Sequence, residues 1–140
     1  MWDLDDANLY IRVLSFTIPE AFTYGDTRPE HTDRDKREQI RDAASANFPA
    51  HIPDVQWWAF RIFVKGNRTF DIDNVPKLIV DAFCKRQIKS DKSSFKVGLY
   101  DDDTIDYIRV IQIAGERTDN LASTTVEIFG RKPEQHRETA

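Results

Sequence analysis

The sequence predicts an α+β (mixed α/β) domain: a mixed sheet with two main helices packed on it, ordered roughly β-α-β-α-β-β. Three observations carry this. VQWWAFRIFVK (residues 55–65) alternates apolar side chains with a period of two. VPKLIVDAFCKRQ (75–87) carries an apolar stripe at helical spacing. Strand-like runs rich in β-branched residues lie before the first segment and after the second, so strands and helices interleave along the chain.

LYIRVLSFTI (9–18) mixes β-branched and aromatic residues and reads as a strand ended by Pro19. Residues 19–32 lack any period and read as a loop. DRDKREQIRDAASANF (33–48) reads as a helix capped by Thr32 or Asp33 and closed by Pro49, with balanced charges along a solvated face. In residues 55–65, Trp58, Phe60, Ile62 and Val64 share one face, and Trp57, Ala59 and Phe63 make the other largely apolar. A strand apolar on both faces belongs in the middle of a sheet. After the GNRT turn, Val75, Leu78, Ile79, Ala82 and Phe83 follow the helical i, i+3, i+4 rule. Pro76 is tolerated only in a first turn, which sets the helix start at Asp73 or Asn74, both good caps. Residues 87–98 are polar and lysine-rich, as expected of a mobile loop. DDDTIDYIRVIQI (101–113) opens with acids and becomes a strand, GERTDN turns, and LASTTVEIF (121–129) is the last strand. Residues 131–140 are a polar tail.

The 140 residues suffice for one domain with its own core. No apolar run approaches the roughly 18 residues that span a bilayer. MWDLDDANLY lacks the basic and apolar regions of a secretory leader. The lone cysteine, Cys84, leaves no internal disulfide and fits a reducing cytoplasm. The net charge of −4 conceals an uneven distribution. Between Lys65 and Lys96, eight basic residues (Lys65, Arg68, Lys77, Lys85, Arg86, Lys89, Lys92 and Lys96) face four acids (Asp71, Asp73, Asp81 and Asp91). A basic rim thus surrounds an acidic centre, an arrangement that holds a polyanion outside and a cation within.

The acidic centre is FDIDNVPK. Residues two apart in an extended segment share a face, so Asp71 and Asp73 point together. Asn74, Lys77 and Asp81 follow in one helical stripe, with Lys77 four residues from Asp73 and able to reach back to it. A second cluster, Asp101, Asp102 and Asp103, stands where a loop enters a strand. If that strand lies beside the one ending near Lys65, the carboxylates converge. Two bare carboxylates about 4 Å apart repel by roughly 4 kcal/mol at an effective dielectric near 20, so such a cluster needs a cation or a proton. Oxygen-only ligands suit Mg²⁺, with Mn²⁺ as an alternative. The matching chemistry is metal-assisted phosphodiester hydrolysis, with Lys77 offsetting developing charge. Each cluster alone also has an ordinary reading, as a helix cap or a solvated turn.

Other sites fail on spacing. An EF-hand loop from Asp71 needs glycine sixth and glutamate twelfth, where the chain has Pro76 and Ala82. His31, His51 and His136 are too scattered for zinc. The few glycines form no phosphate-cradling loop. Cys84 falls on the helix's polar edge as an inert thiol, and Trp57 and Trp58 read as core and interface residues, not as base-stacking platforms. A nucleotidyltransferase built on Asp71 and Asp73 wants Gly-Ser upstream and an apolar residue after the second acid; Gly66-Asn67 and Asn74 do not fit.

DIDNVPKLIVDAF followed by DDDTIDYIRV resembles the RusA-type Holliday junction resolvases, the crossover-junction endodeoxyribonucleases of bacteria and their phages. Asp71, Asp73, Asn74, Lys77 and Asp81-Ala82 match the first family motif; Asp101, Asp102 and Ile105 match the second. The resemblance spans residues 55–129, with residues 85–100 as an insertion. It implies a RusA-like nuclease domain over residues 1–130, and Mg²⁺ held by Asp71, Asp73 and Asp102 with Asp101 or Asp103 accessory. Lys77 would be the essential basic group. A cytoplasmic homodimer making paired cuts in four-way DNA follows, with no small-molecule cofactor and no membrane. Lys65, Arg68, Asn74, Lys85, Arg86, Lys89, Lys92 and Lys96 are the expected DNA contacts. The alternative is a catalytically inactive RusA-like protein that only binds DNA or a partner.

Overall fold

The computed structural model describes residues 2–21, 33–89, 91 and 97–134. Strand β1 (Tyr10–Ile18) is followed by helix α1 (Asp33–Ser45) and strand β2 (Trp58–Gly66). A 3-10 turn (Ile72–Asn74) leads into α2 (Val75–Ala82), then a short α3 (Lys85–Ile88), β3 (Ile108–Arg117) and β4 (Ser123–Arg131). The four strands form one mixed sheet in the order β1-β4-β2-β3. β4 is antiparallel to both β1 and β2, whereas β3 runs parallel to β2. A parallel pair needs a long crossover, which here carries α2 and α3 over the sheet. The expected α+β architecture and the internal position of β2 are both present.

Alternation along β2 decides which side of the sheet receives the helices. Phe60, Ile62 and Val64 are buried and pack with Leu78, Ile79 and Ile40 in the larger core cluster. Each such apolar side chain contributes roughly 1.5–3 kcal/mol on full burial. On the opposite face Ala59 and Trp57 pack with Leu4, Tyr10, Val110 and Phe129, so the N-terminal segment closes part of that side. Arg61 fastens it there, through Asp5 Oδ2 at 3.0 Å, while also bonding Glu127 Oε1 at 2.8 Å. Trp57 and Trp58 are both core residues, as expected. Among the described residues no helix is long and apolar enough to cross a membrane.

Five expectations are corrected. The helix expected over residues 75–87 is broken at Phe83-Cys84, where Cys84 is extended (φ −89°, ψ 117°). There the backbone turns to Tyr100 instead: Leu99 N donates to Phe83 O at 2.8 Å, and Lys85 N to Tyr100 O at 2.9 Å. The bridge between Cys84 and Tyr100 replaces the helical bonds lost. Cys84 consequently sits in the core, not on a polar edge.

The solvated face expected along α1 is also wrong in part, since Lys36 and Arg41 are buried. Arg41 Nη2 lies 2.8 Å from Asp91 Oδ2, and Arg37 Nη2 2.9 Å from Asp91 Oδ1. Arg41 Nη1 also donates to Ala82 O, at 3.0 Å. A buried charge survives only with such partners. Asp91 and Ile88 are therefore packed into the protein, although they belong to the segment expected to be a polar loop. Residues 92–96 of that segment, the loop over 22–32 and the tail beyond Glu134 lie outside the described residues. The tail expected from residue 131 begins later: β4 includes Arg131, and Lys132 N donates to Leu9 O at 2.8 Å.

Candidate active site

The chain leaves β2, passes Asp71 and enters the 3-10 turn that feeds α2. Pro76 occupies the first turn of α2, as its missing N–H requires. Asp71 stands at the cap position of the 3-10 turn and Asn74 at that of α2. Neither side chain makes a capping hydrogen bond. Asp71 and Asp73 are exposed and Asn74 is half-buried. The capping role, which alone would explain these residues, is not what they do.

Lys77 pairs with acids other than Asp73, contrary to expectation. Its Nζ lies 3.3 Å from Asp81 Oδ1 and 3.2 Å from Asp103 Oδ2. Burial explains the choice. Asp81 is 5% exposed, and an unpaired buried carboxylate costs far more than a solvated one such as Asp73. Burial opposes the Lys77 ammonium, but Asp103 and Asp81 outweigh it and raise its pKa. Burial likewise opposes the Asp103 carboxylate, yet contacts with Lys77 and Asp102 lower its pKa overall. At Asp81 burial prevails over Lys77 and the pKa is raised. One lysine thus secures Asp103 as an anion and only offsets burial at Asp81.

Two further cations meet the second acid cluster. Arg86 Nη2 lies 3.0 Å from Asp102 Oδ1 and 3.8 Å from Asp103 Oδ1. Lys85 Nζ is 3.6 Å from Asp101 Oδ1. The turn itself is fixed by Asp103 N donating to Asp102 Oδ1 at 2.8 Å. The helix break at Cys84 makes this possible, because it sets Lys85 and Arg86 beside Tyr100 and the acids after it. Lys65, Arg68 and Lys89 are exposed, whereas Lys92 and Lys96 lie outside the described residues. His51 is exposed; His31 and His136 are outside the described residues. Burial pushes the Cys84 thiol up, which suits an inert thiol.

The donor chemistry fits Mg²⁺: Asp71, Asp73, Asp101, Asp102 and Asp103 all offer hard carboxylate oxygens. The described residues, however, contain no group of three His, Cys, Asp or Glu side chains placed to hold a metal ion. Strand direction accounts for this. β3 begins beside the start of β2, with Trp58 opposite Ile108. Residues 101–103 therefore approach the end of the sheet where β2 starts, while Asp71 follows the end where β2 finishes. α2, about 12 Å long at 1.5 Å per residue, spans the interval. Lys77 reaches across part of it.

Both Asp81 and Arg86 were singled out in the sequence, but their pairings were not. The Lys77–Asp81 pair had a signal, the i+4 spacing. Arg86 pairing with Asp102 had none, since it depends on the helix break. No family model, curated protein or solved structure matches this chain.

Proposed function

We propose that the protein is a Mg²⁺-dependent, structure-selective DNA endonuclease of the RusA type, which resolves four-way junctions as a homodimer. One observation carries the reading: the Asp71 and Asn74 side chains cap nothing at the start of α2, while Lys77 of that helix is drawn to the second acid cluster. By the resemblance, Asp71, Asp73 and Asp102, with Asp101 or Asp103 accessory, would hold the ion, which must draw the two acid clusters together across the interval that α2 spans; bound there it would supply charge neutralisation at the scissile phosphate and activation of the attacking water. Lys77 offers its ammonium to the departing oxygen. Lys65, Arg68, Asn74, Lys85, Arg86, Lys89, Lys92 and Lys96 meet the flanking phosphates, giving affinity without sequence reading. Two protomers place two such sites for paired cuts.

The test is incubation of a synthetic four-way junction with the protein and Mg²⁺ or Mn²⁺. Paired nicks are expected, and no nicking with either ion ends the proposal. Asp73→Asn is expected to abolish cutting, to leave junction affinity within about threefold, and to leave the melting temperature unchanged, since the helix start does not use a carboxylate cap. Marked unfolding of this variant would return Asp73 to a purely structural role.

The ion pairs at Asp102 and Asp103 favour one other reading, a catalytically inactive RusA-like protein that binds DNA or a partner. Junction binding with no metal-dependent cleavage selects it.

A further inference from the structure

Phe70 and Ile72 flank Asp71, whose backbone is extended (φ −79°, ψ 118°). In such a segment they project to the side opposite its carboxylate. Phe70 settles against Gly66, and the tip of Ile72 reaches β3, where a Cβ added to Gly115 would stand 2.8 Å from Ile72 Cδ1. Beside them opens a groove of about 360 Å³, floored by Val64, Phe70, Ile72 and Gly115. Its rim carries Arg68, Arg117 and one acid, Glu116. The Arg68 guanidinium lies 5.8 Å from the Phe70 ring centroid. Arg117 Nη1 donates to Thr69 Oγ1 at 2.9 Å, which ties the β3 end of the rim to the loop. Ile72 remains 42% exposed, an aliphatic side chain held in the open beside two cations.

We propose that this groove receives one unpaired nucleobase of the strand being cut, and that it distinguishes branched DNA from intact duplex. The inference rests on the nuclease reading above and deepens it. An apolar floor containing an aromatic ring accepts the face of any base, so the groove selects for unstacking and not for sequence. The positive balance of the rim suits the phosphates on either side of that base. Inside a duplex the base is stacked and paired, and extracting it is costly; at a branch point the stack is already interrupted. The 3-10 turn over Ile72–Asn74 ends the extended alternation at Asp71, so one loop serves two neighbouring groups, with the Asp71 carboxylate on one side for the phosphate and Phe70 and Ile72 on the other for the base.

The experiment measures equilibrium binding of the full chain, without divalent ions, to a four-way junction and to a duplex of the same arm sequence. A 2-aminopurine at the exchange point reports unstacking. The wild type is expected to prefer the junction and to change the 2-aminopurine fluorescence. Ile72→Glu places an acid in the groove at an exposed position, so the fold is not at risk. It should lower junction affinity about tenfold or more, abolish the fluorescence change and leave duplex affinity nearly unaltered. Gly115→Ala, which pushes the Ile72 tip, should give a partial loss, and Arg117→Gln a loss of a few-fold. Equal losses on junction and duplex overturn the selective role, as does an unaltered preference in both Ile72→Glu and Arg117→Gln. In those outcomes junction cleavage persists and the nuclease reading stands. A wild type that neither prefers nor cuts branched DNA overturns both.

Discussion

The carboxylates of Asp91 and Asp103 each meet two cations, but in opposite surroundings. Asp91 is sealed: its side chain and that of Arg41 have no solvent exposure, and Arg37 closes the remaining side. Asp103 is open, its side chain 20% exposed, with Lys77 and Arg86 reaching it from exposed positions. A sealed pair is fixed, because separating it strands a charge away from water. An open one can exchange its partners for a phosphate or a metal ion at little cost. The same chemistry thus builds a joint in one place and a replaceable set of counter-ions in the other.

The largest effect should come from the joint. Asp91→Ala leaves two arginines facing a dry vacancy and is expected to cost about 3–5 kcal/mol in urea denaturation. The apolar double replacement Arg41→Met with Asp91→Leu should recover most of that. A loss below about 1 kcal/mol for the single variant would mean that the pair is not sealed. Lys77→Met tests the other side of the contrast. It should cost only about 1 kcal/mol, because Asp81 can take up a proton, yet reduce junction cleavage by about a hundredfold. Destabilisation equal to that of Asp91→Ala would make both clusters joints.

Arg61, half-buried between Asp5 and Glu127, supplies the intermediate case and the smallest effect. Hydrogen bonding to Arg61 holds both carboxylates below their ordinary pKa. A depressed carboxylate stabilises the fold fully above its unfolded value near 4, and that stability fades as pH falls through the folded value. Asp81, raised by burial, has the opposite sign and loses stability as pH rises from about 4 through its folded value. Thermal melts from pH 7 to pH 2 should therefore decline below about pH 4, and Arg61→Gln should make that decline shallower. An unchanged acid limb would leave Arg61 no role in it.

Local periodicity made β2 and the start of α2 legible, because each buries a stripe that its own residues define. The end of α2 was not legible, since Phe83 continues the helical stripe and nothing nearby announces that Cys84 will bond to Tyr100. Arg41 looked like one more charge on a charged helix; its partner lies fifty residues on. The only hint was Asp91 standing as a single acid among lysines. Lys77 had two acids at i±4, and the choice of Asp81 was decided by burial, which sequence spacing does not encode. The pairing of β3 with β2 was anticipated, but its parallel direction was not, and direction governs how far Asp71 lies from Asp102.

The break at Cys84 has a consequence for how the protein can vary. Hydrogen bonds from Leu99 to Phe83 and from Lys85 to Tyr100 close the intervening segment at its base, like a clasp on a ring. Once a ring is clasped, its circumference matters little: doubling its length adds only about 0.6 kcal/mol of closure entropy. Residues between Asp91 and Val97 can thus be lengthened, shortened or exchanged while Asp101, Asp102 and Asp103 keep their places.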